Sequence, residues 1–191
     1  MTSATAGLHL AMLALDLQPG DEVVTTPLTW PATVNAIVLA GGTPVLVDVE
    51  DATLNLDPRQ LAAAVGPRTR AVLPVHYAGQ PCDLDAIADA APGVPVIEDA
   101  AHAAGAAYRG QPIGSRSAAA VFSFHPIKNM TTGEGGMVTA NDAELARRIA
   151  LLRFHGVERD AWKAYGGAHL PLYDVVRPGL KYNLTDIQSA I

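Results

Sequence analysis

A lysine, an aspartate and a serine stand where buried apolar runs end. Residues 118–140 read AAAVFSFHPIKNMTTGEGGMVTA. An apolar run closes in Ser123 and Phe124, Lys128 follows, then a Thr- and Gly-rich turn and a second apolar run. An amine held just past a buried strand is desolvated, which lowers its pKa and makes it a nucleophile toward carbonyls. The same position also suits an ordinary loop lysine, so the rest of the chain has to decide. Asp99 closes the run VPVIED, and a carboxylate at a buried strand end needs a partner, whether a ligand, a helix cap or a cation. Glu98 beside it points to the opposite face of the strand, so the two do not form an acid pair. His102 opens a run of small residues that lets backbone approach a flat ligand closely; it has no second ligand at metal spacing.

Two further pieces bear on the same chemistry. Ser3-Ala4-Thr5 begins an apolar helical run, GLHLAMLALDL, and the free N–H groups of a helix start attract anions; capping alone is the simpler reading. Trp30 follows a short strand and precedes Pro31, which suits the first turn of a helix. A helix start for a phosphate, an aromatic face for a ring, a carboxylate for a ring nitrogen and a lysine for an aldehyde are the requirements of pyridoxal phosphate.

The elements that must position these residues alternate along the chain. Strands are expected at 22–26, 43–49, 70–76, 94–99, 118–124 and 135–140. Helices are expected at the N-terminus, at 31–39, 59–65, 84–91 and 142–154, and from Thr185. Asp57 caps the third helix and Asn141 the fifth, with Glu144 at that helix's third position. The strands are continuous β-branched runs without polar alternation, the mark of strands buried on both faces. The expected fold is therefore α/β: three layers, with a mostly parallel sheet between helices. Ligands of such sheets bind at the carboxyl ends of the strands. That rule singles out Thr25-Thr26, His76, Asp99 and Ser123. The first helix opens almost at residue one with no strand ahead of it to hold its start. Trp162–Pro178 reads as an irregular excursion.

Bulk properties narrow the function classes. The chain has 191 residues, 49% hydrophobic and 17% charged, which excludes disorder. A net charge of −6 argues against nonspecific nucleic-acid binding. The single cysteine, Cys82, cannot form an internal disulfide and favours a reducing compartment. The first residues lack a signal peptide's basic region, and no apolar run reaches membrane-spanning length, so a cytoplasmic protein without membrane attachment is expected.

VIEDAAHAAGA, FSFHPIKNMTTGEGG and PGLKYNLTDIQSAI resemble, in order and spacing, motifs of the DegT/DnrJ/EryC1/StrS sugar aminotransferases. These are fold-type-I pyridoxal-phosphate enzymes that aminate keto groups on nucleotide-linked sugars. RFHGVERDAW and KYNLTDI are similar to the branch that includes the UDP-4-amino-4-deoxy-L-arabinose aminotransferase. The resemblance implies that Lys128 holds the cofactor as a Schiff base and later shuttles a proton. It implies that Asp99 pairs with the ring nitrogen and that Trp30 stacks on the ring. His102, at a position often Gln in the family, would contact the phenolic oxygen. Ala4, Thr5 and Ser123 would bind the phosphate, and Asn183 would reach the phosphate of a neighbouring subunit in a homodimer with shared sites. Glutamate would give its amine to the cofactor, and a nucleotide-linked keto-sugar would take it, in a ping-pong scheme. Family members also carry an N-terminal segment with an edge strand and a C-terminal domain. On that pattern residues 1–155 are the cofactor-binding large domain lacking its first edge strand. Residues 156–191 are a connecting segment and the truncated start of a helix leading to the C-terminal domain. Two rivals follow: a catalytically inactive fragment of such an enzyme, and a sugar dehydratase of the same family, which carries histidine in place of Lys128.

Overall fold

The structure, a computed structural model, describes residues 1–158 and 174–191. Helix α1 (Ala4–Ala14) leads into strand β1 (Glu22–Thr25), helix α2 (Pro31–Leu39) and strand β2 (Thr43–Leu46). Helix α3 (Pro58–Ala64), strand β3 (Thr69–Val72), helix α4 (Leu84–Ala90) and strand β4 (Ile97–Asp99) follow. A small hairpin, β5 (Ala107–Tyr108) and β6 (Gln111–Pro112), precedes β7 (Ala119–Ser123), β8 (Gly136–Ala140), α5 (Ala143–Leu152) and α6 (Asp186–Ser189).

β1 pairs in parallel with β2 and β3, and β4 pairs in parallel with β7. Parallel bridges Val72–Val96 and Val75–Asp99 join the two groups. The result is one sheet in the order β2-β1-β3-β4-β7-β8, in which only β8 is antiparallel. Strand alternation divides the core. Val23, Ala71, Ala119 and Val121 pack against α1, α2 and α5 on one face. Their neighbours Val24, Val72, Ala120 and Phe122 pack against α3 and α4 on the other. Apolar side chains on both faces explain why these strands show no polar alternation, and the expected three-layer architecture is the observed one.

The strands are shorter than the β-branched runs suggest. Pro74 and Pro95 lack an N–H and cannot continue a ladder. Their carbonyls still serve it: Pro74 O accepts from Asp99 N at 2.9 Å and Pro95 O from Val72 N at 3.0 Å. The cap of α5 is Asp142, one residue later than expected. Its carboxylate accepts from the N–H groups of Glu144 and Leu145, which puts Glu144 at the second helical position. Asn141 instead donates its side-chain amide to Gly114 O and Ser117 O. Ser3 caps α1, Asp57 caps α3, and Thr185 with Gln188 forms a capping box on α6. The start of α1 is held after all. Met1 N donates to Gly136 O at 2.6 Å and accepts through its carbonyl from Gly136 N at 2.9 Å, while Thr2 N donates to Tyr182 O. Most of the excursion expected at 162–178 lies outside the described residues. Among those described, no helix is long and apolar enough to cross a membrane, and no cluster of side chains could hold a metal.

Candidate active site

The sheet register gathers the chemistry at one edge. Asp99 is level with Val121 on β7, and Ser123 lies two residues further toward the same carboxyl end. Ser123 in turn is level with Gly136 on β8. A Cβ on Gly136 would fall 2.6–2.7 Å from the backbone of Ser3 and Ala4, so only glycine lets the start of α1 settle against this strand end. Ser3 Oγ accepts from Ala6 N and Ser3 O from Gly7 N. The preceding two N–H groups, of Ala4 and Thr5, are those that a helix start leaves without intrahelical partners. The start of α1, which carries the Ala4 and Thr5 N–H groups, thus lies against the strand position level with Ser123.

Asp99 is buried, with 5% exposure. Its Oδ2 accepts from Thr33 Oγ1 at 2.8 Å and its Oδ1 from Ala101 N at 3.2 Å. Burial pushes its pKa up, against the hydrogen bonds from Thr33 and Ala101 and the nearby Lys128 amine. Lys128 is half-buried in the turn after β7, where its N–H donates to His125 O at 2.9 Å. Both ends of that turn are tied to the strands: Thr132 N donates to Phe124 O, and Phe124 N to Gly135 O. Desolvation lowers the Lys128 pKa, opposed by Asp99. The Lys128 amine hydrogen-bonds His102 Nε2. Burial and the nearby Lys128 charge lower the His102 pKa, with Asp99 opposing. Gly79, at φ +86°, has no room for a Cβ because His102 O lies 2.7 Å from where it would stand. The turn at 77–79 thereby braces the backbone that carries His102.

Lys128, Asp99 and His102 are therefore brought together, with Ser123 and the α1 start beside them. Trp30 is 78% exposed; it precedes α2, three residues from the Thr33 that bonds Asp99. Asn183 bonds Lys181 and the Leu184 carbonyl; its neighbours touch the site's edge, Tyr182 O accepting from Thr2 N beside the α1 start and Leu184 lying against Gly135. Glu98 is on the opposite face, wholly buried against His76 at 2.7 Å, as strand alternation requires. A cleft of about 400 Å³, lined by Glu50, Asn55, Tyr108 and Arg109 among others, includes none of the gathered residues.

Thr33 is the site residue the sequence reading missed. It shares a buried helix face with Ala36 and Ile37, at i, i+3 and i+4. A hydroxyl on an otherwise apolar face just after a strand end was the available signal.

The donor set fits pyridoxal phosphate: helix N–H groups without partners among the described residues and beside a strand end carrying a serine, a buried carboxylate with two donors already in place, a partly desolvated amine and an exposed indole. The chain is also similar to solved structures. CalS13 from Micromonospora echinospora, a sugar aminotransferase, is 41% identical over all of this chain and 53% of its own, with a TM-score of 0.88. Spr1654 from Streptococcus pneumoniae, described as a sugar aminotransferase and solved in PLP and PMP forms, is 34–35% identical over 99% of this chain and 52–53% of its own, with TM-scores of 0.87 and 0.89. DesI, solved in the presence of its TDP-sugar product, is 46% identical over 82% of this chain and 40% of its own, with a TM-score of 0.75. The chain spans about half the length of these proteins or less. Its match to the family pattern runs from residue 1 to 191, and with the fold, the identities and the gathered strand-end residues in agreement, the chain belongs to the DegT/DnrJ/EryC1/StrS aminotransferase family.

Proposed function

We propose that this chain is the cofactor-binding part of a pyridoxal-phosphate-dependent aminotransferase acting on a nucleotide-linked keto-sugar, with glutamate as amino donor. The convergence of Lys128, Asp99 and His102 at the carboxyl ends of β4 and β7 carries the reading. The neighbour solved with a TDP-sugar product supports the acceptor class. Bound pyridoxal phosphate supplies an aldehyde that takes up amines and a ring that withdraws electrons from the attached carbon.

The chain's own groups have separable tasks. Ala4 and Thr5 N–H groups and the Ser123 hydroxyl would hold the phosphate, aided by the positive end of the α1 dipole. Asp99 would accept a hydrogen bond from the ring nitrogen. A cation there offsets the cost of ionising the buried carboxylate, and an ionised Asp99 keeps that nitrogen protonated. Trp30 would cover one ring face, and its exposure leaves that face accessible until a ring arrives. Lys128 Nζ would bind the cofactor covalently and, once released, take a proton from one carbon and return it to another. Its lowered pKa favours the neutral amine that both tasks need. His102 Nε2, which hydrogen-bonds the Lys128 amine, would turn to the cofactor's phenolic oxygen. Lys128 itself argues against the dehydratase reading, which requires histidine there.

Residues 1–155 would form the cofactor domain, and 156–191 would lead toward a further domain. Asn183 would reach the phosphate of a second subunit in a homodimer. The free, buried Cys82 accords with work in a reducing compartment. The test is incubation with pyridoxal phosphate, borohydride reduction and peptide mapping. A reduced adduct on Lys128 is expected, and its absence refutes the cofactor reading. Glutamate should then discharge the visible absorption of the loaded chain. A nucleotide keto-sugar should restore it, and no restoration with any such sugar refutes the acceptor class.

A further inference from the structure

We propose that Thr33 is the positioning residue of Asp99, backed by Thr29, and that this pair of hydroxyls sets the orientation of the carboxylate and holds it as an acceptor. Thr33 is wholly buried, and its Oγ1 lies 2.8 Å from Asp99 Oδ2. Thr29 Oγ1 lies 2.6 Å from Thr33 Oγ1. An ionised carboxylate only accepts, so the Thr33 proton is committed to Asp99 and Thr29 must donate to Thr33. The chain of donation runs one way, from half-buried Thr29 through Thr33 to the buried acid.

A threonine within a helix commonly bonds the carbonyl one turn back. Thr33 directs its hydroxyl out of the helix to a different element, 66 positions along the chain. The second carboxylate oxygen takes Ala101 N at 3.2 Å, so a side chain from α2 and a backbone group after β4 together fix the carboxyl plane. Thr29 and Thr33 also flank Trp30, whose carbonyl accepts from Thr33 N at 3.1 Å. One turn of chain therefore carries the exposed indole and sets the buried acid. Hydrogen bonds to an ionised group are the strong class, and Asp99 needs them because burial opposes its charge.

The other charged or titratable groups acting on Asp99 are His76, across the β3–β4 bridge, and Lys128, with His102 at its amine. All are unchanged by substitutions at Thr33. The consequence for a bound ring rests on the pyridoxal-phosphate reading; the effect on Asp99 itself does not.

The test uses the full chain with two readouts. In the unloaded protein, the carboxyl ¹³C shift of Asp99 is followed against pH. In the loaded protein, pyridoxal-phosphate affinity is measured from the visible band. Thr33→Val should move the Asp99 titration to higher pH and weaken cofactor binding about tenfold or more. Thr33→Ser should restore both, and Thr29→Val should move both less, in the same direction. An unchanged titration in Thr33→Val, or Thr33→Ser behaving like Thr33→Val, overturns the proposal. If Thr33→Val does not fold, Thr33→Ala and Thr29→Val carry the test, and an unmoved titration in both overturns it. Failure of the unsubstituted chain to bind pyridoxal phosphate would refute the cofactor reading while leaving the Asp99 titration to judge the relay.

Discussion

Glu98 and Asp99 are adjacent carboxylates on one strand, both buried, with opposite surroundings. Asp99 faces α2 and the carboxyl edge of the sheet. Both its oxygens have donors, from Thr33 and Ala101, and an amine and an imidazole stand nearby. Glu98 faces α4 and is sealed, and one of its oxygens, Oε1, has no partner among the described residues. Its neighbour His76 fixes the proton distribution. His76 Nδ1 accepts from Cys82 N at 3.0 Å, so the ring proton is on Nε2 and is donated to Glu98 Oε2. A neutral histidine thus clamps the 80–82 loop to β4 from beneath. The difference teaches that burial alone does not mark a site. Glu98 is the more buried acid, yet only Asp99 has an approach to groups that can react.

The largest effect should separate the two faces outright. Lys128→Ala should abolish the borohydride-fixed pyridoxal-phosphate adduct and leave thermal unfolding within about 0.5 kcal/mol, since a half-exposed loop side chain carries little of the fold. An adduct persisting elsewhere would move the reactive amine away from this edge.

Asp99 comes next. Its pKa is raised by burial, so its contribution to stability is full at low pH and is lost as pH rises through the raised value. Asp99→Asn removes that loss. Its stability relative to the unsubstituted, unloaded chain should therefore improve from about pH 4 toward neutrality. It should also bind pyridoxal phosphate more weakly despite the gain. Urea midpoints across this range check it, and a difference that stays flat with pH would mean that Asp99 does not change charge there.

Most of this contrast was legible in the sequence. Alternation along VPVIED separates Glu98 from Asp99, and the β-branched runs announce strands covered on both sides. The strand-end rule marks Asp99 and Ser123, and the family motifs single out Lys128. Thr33 was not legible, because its role depends on α2 lying over the end of β4, and periodicity says nothing of which strand a helix crosses. The His76–Glu98 clamp needs the same long-range pairing, across the parallel bridge at Val75 and Asp99. The cap of α5 was displaced by one residue because Asn and Asp are equally good caps in sequence. Only the carbonyls of Gly114 and Ser117 decide that Asn141 is engaged elsewhere. The hairpin at 107–112 went unread because two-residue strands carry no period.

On the sealed face, charge should matter less than hydrogen bonding. Glu98→Gln keeps an acceptor for His76 Nε2; its unpaired amide N–H groups cost about what removal of an unpartnered, buried carboxylate oxygen gains, so stability should change little. Glu98→Ala leaves the His76 N–H buried and unpaired, at a cost of about 1–3 kcal/mol. Both should leave the Asp99 titration in place. If Glu98→Gln proved as damaging as Glu98→Ala in urea unfolding, the clamp would depend on an ionised acid and the contrast between the faces would weaken.

The smallest effect asks whether the phosphate end belongs with the Asp99 face. Ser3→Ala removes the side chain that accepts from Ala6 N, at a cost of about 1 kcal/mol. The loss should be nearly independent of pH, unlike that at Asp99, because a hydroxyl does not titrate. A bound phosphate draws the early N–H groups of α1 to itself, so saturating pyridoxal phosphate should narrow the gap between Ser3→Ala and the unsubstituted chain. A gap unchanged by the cofactor would show that α1 is capped for the fold alone and that the anion lies elsewhere.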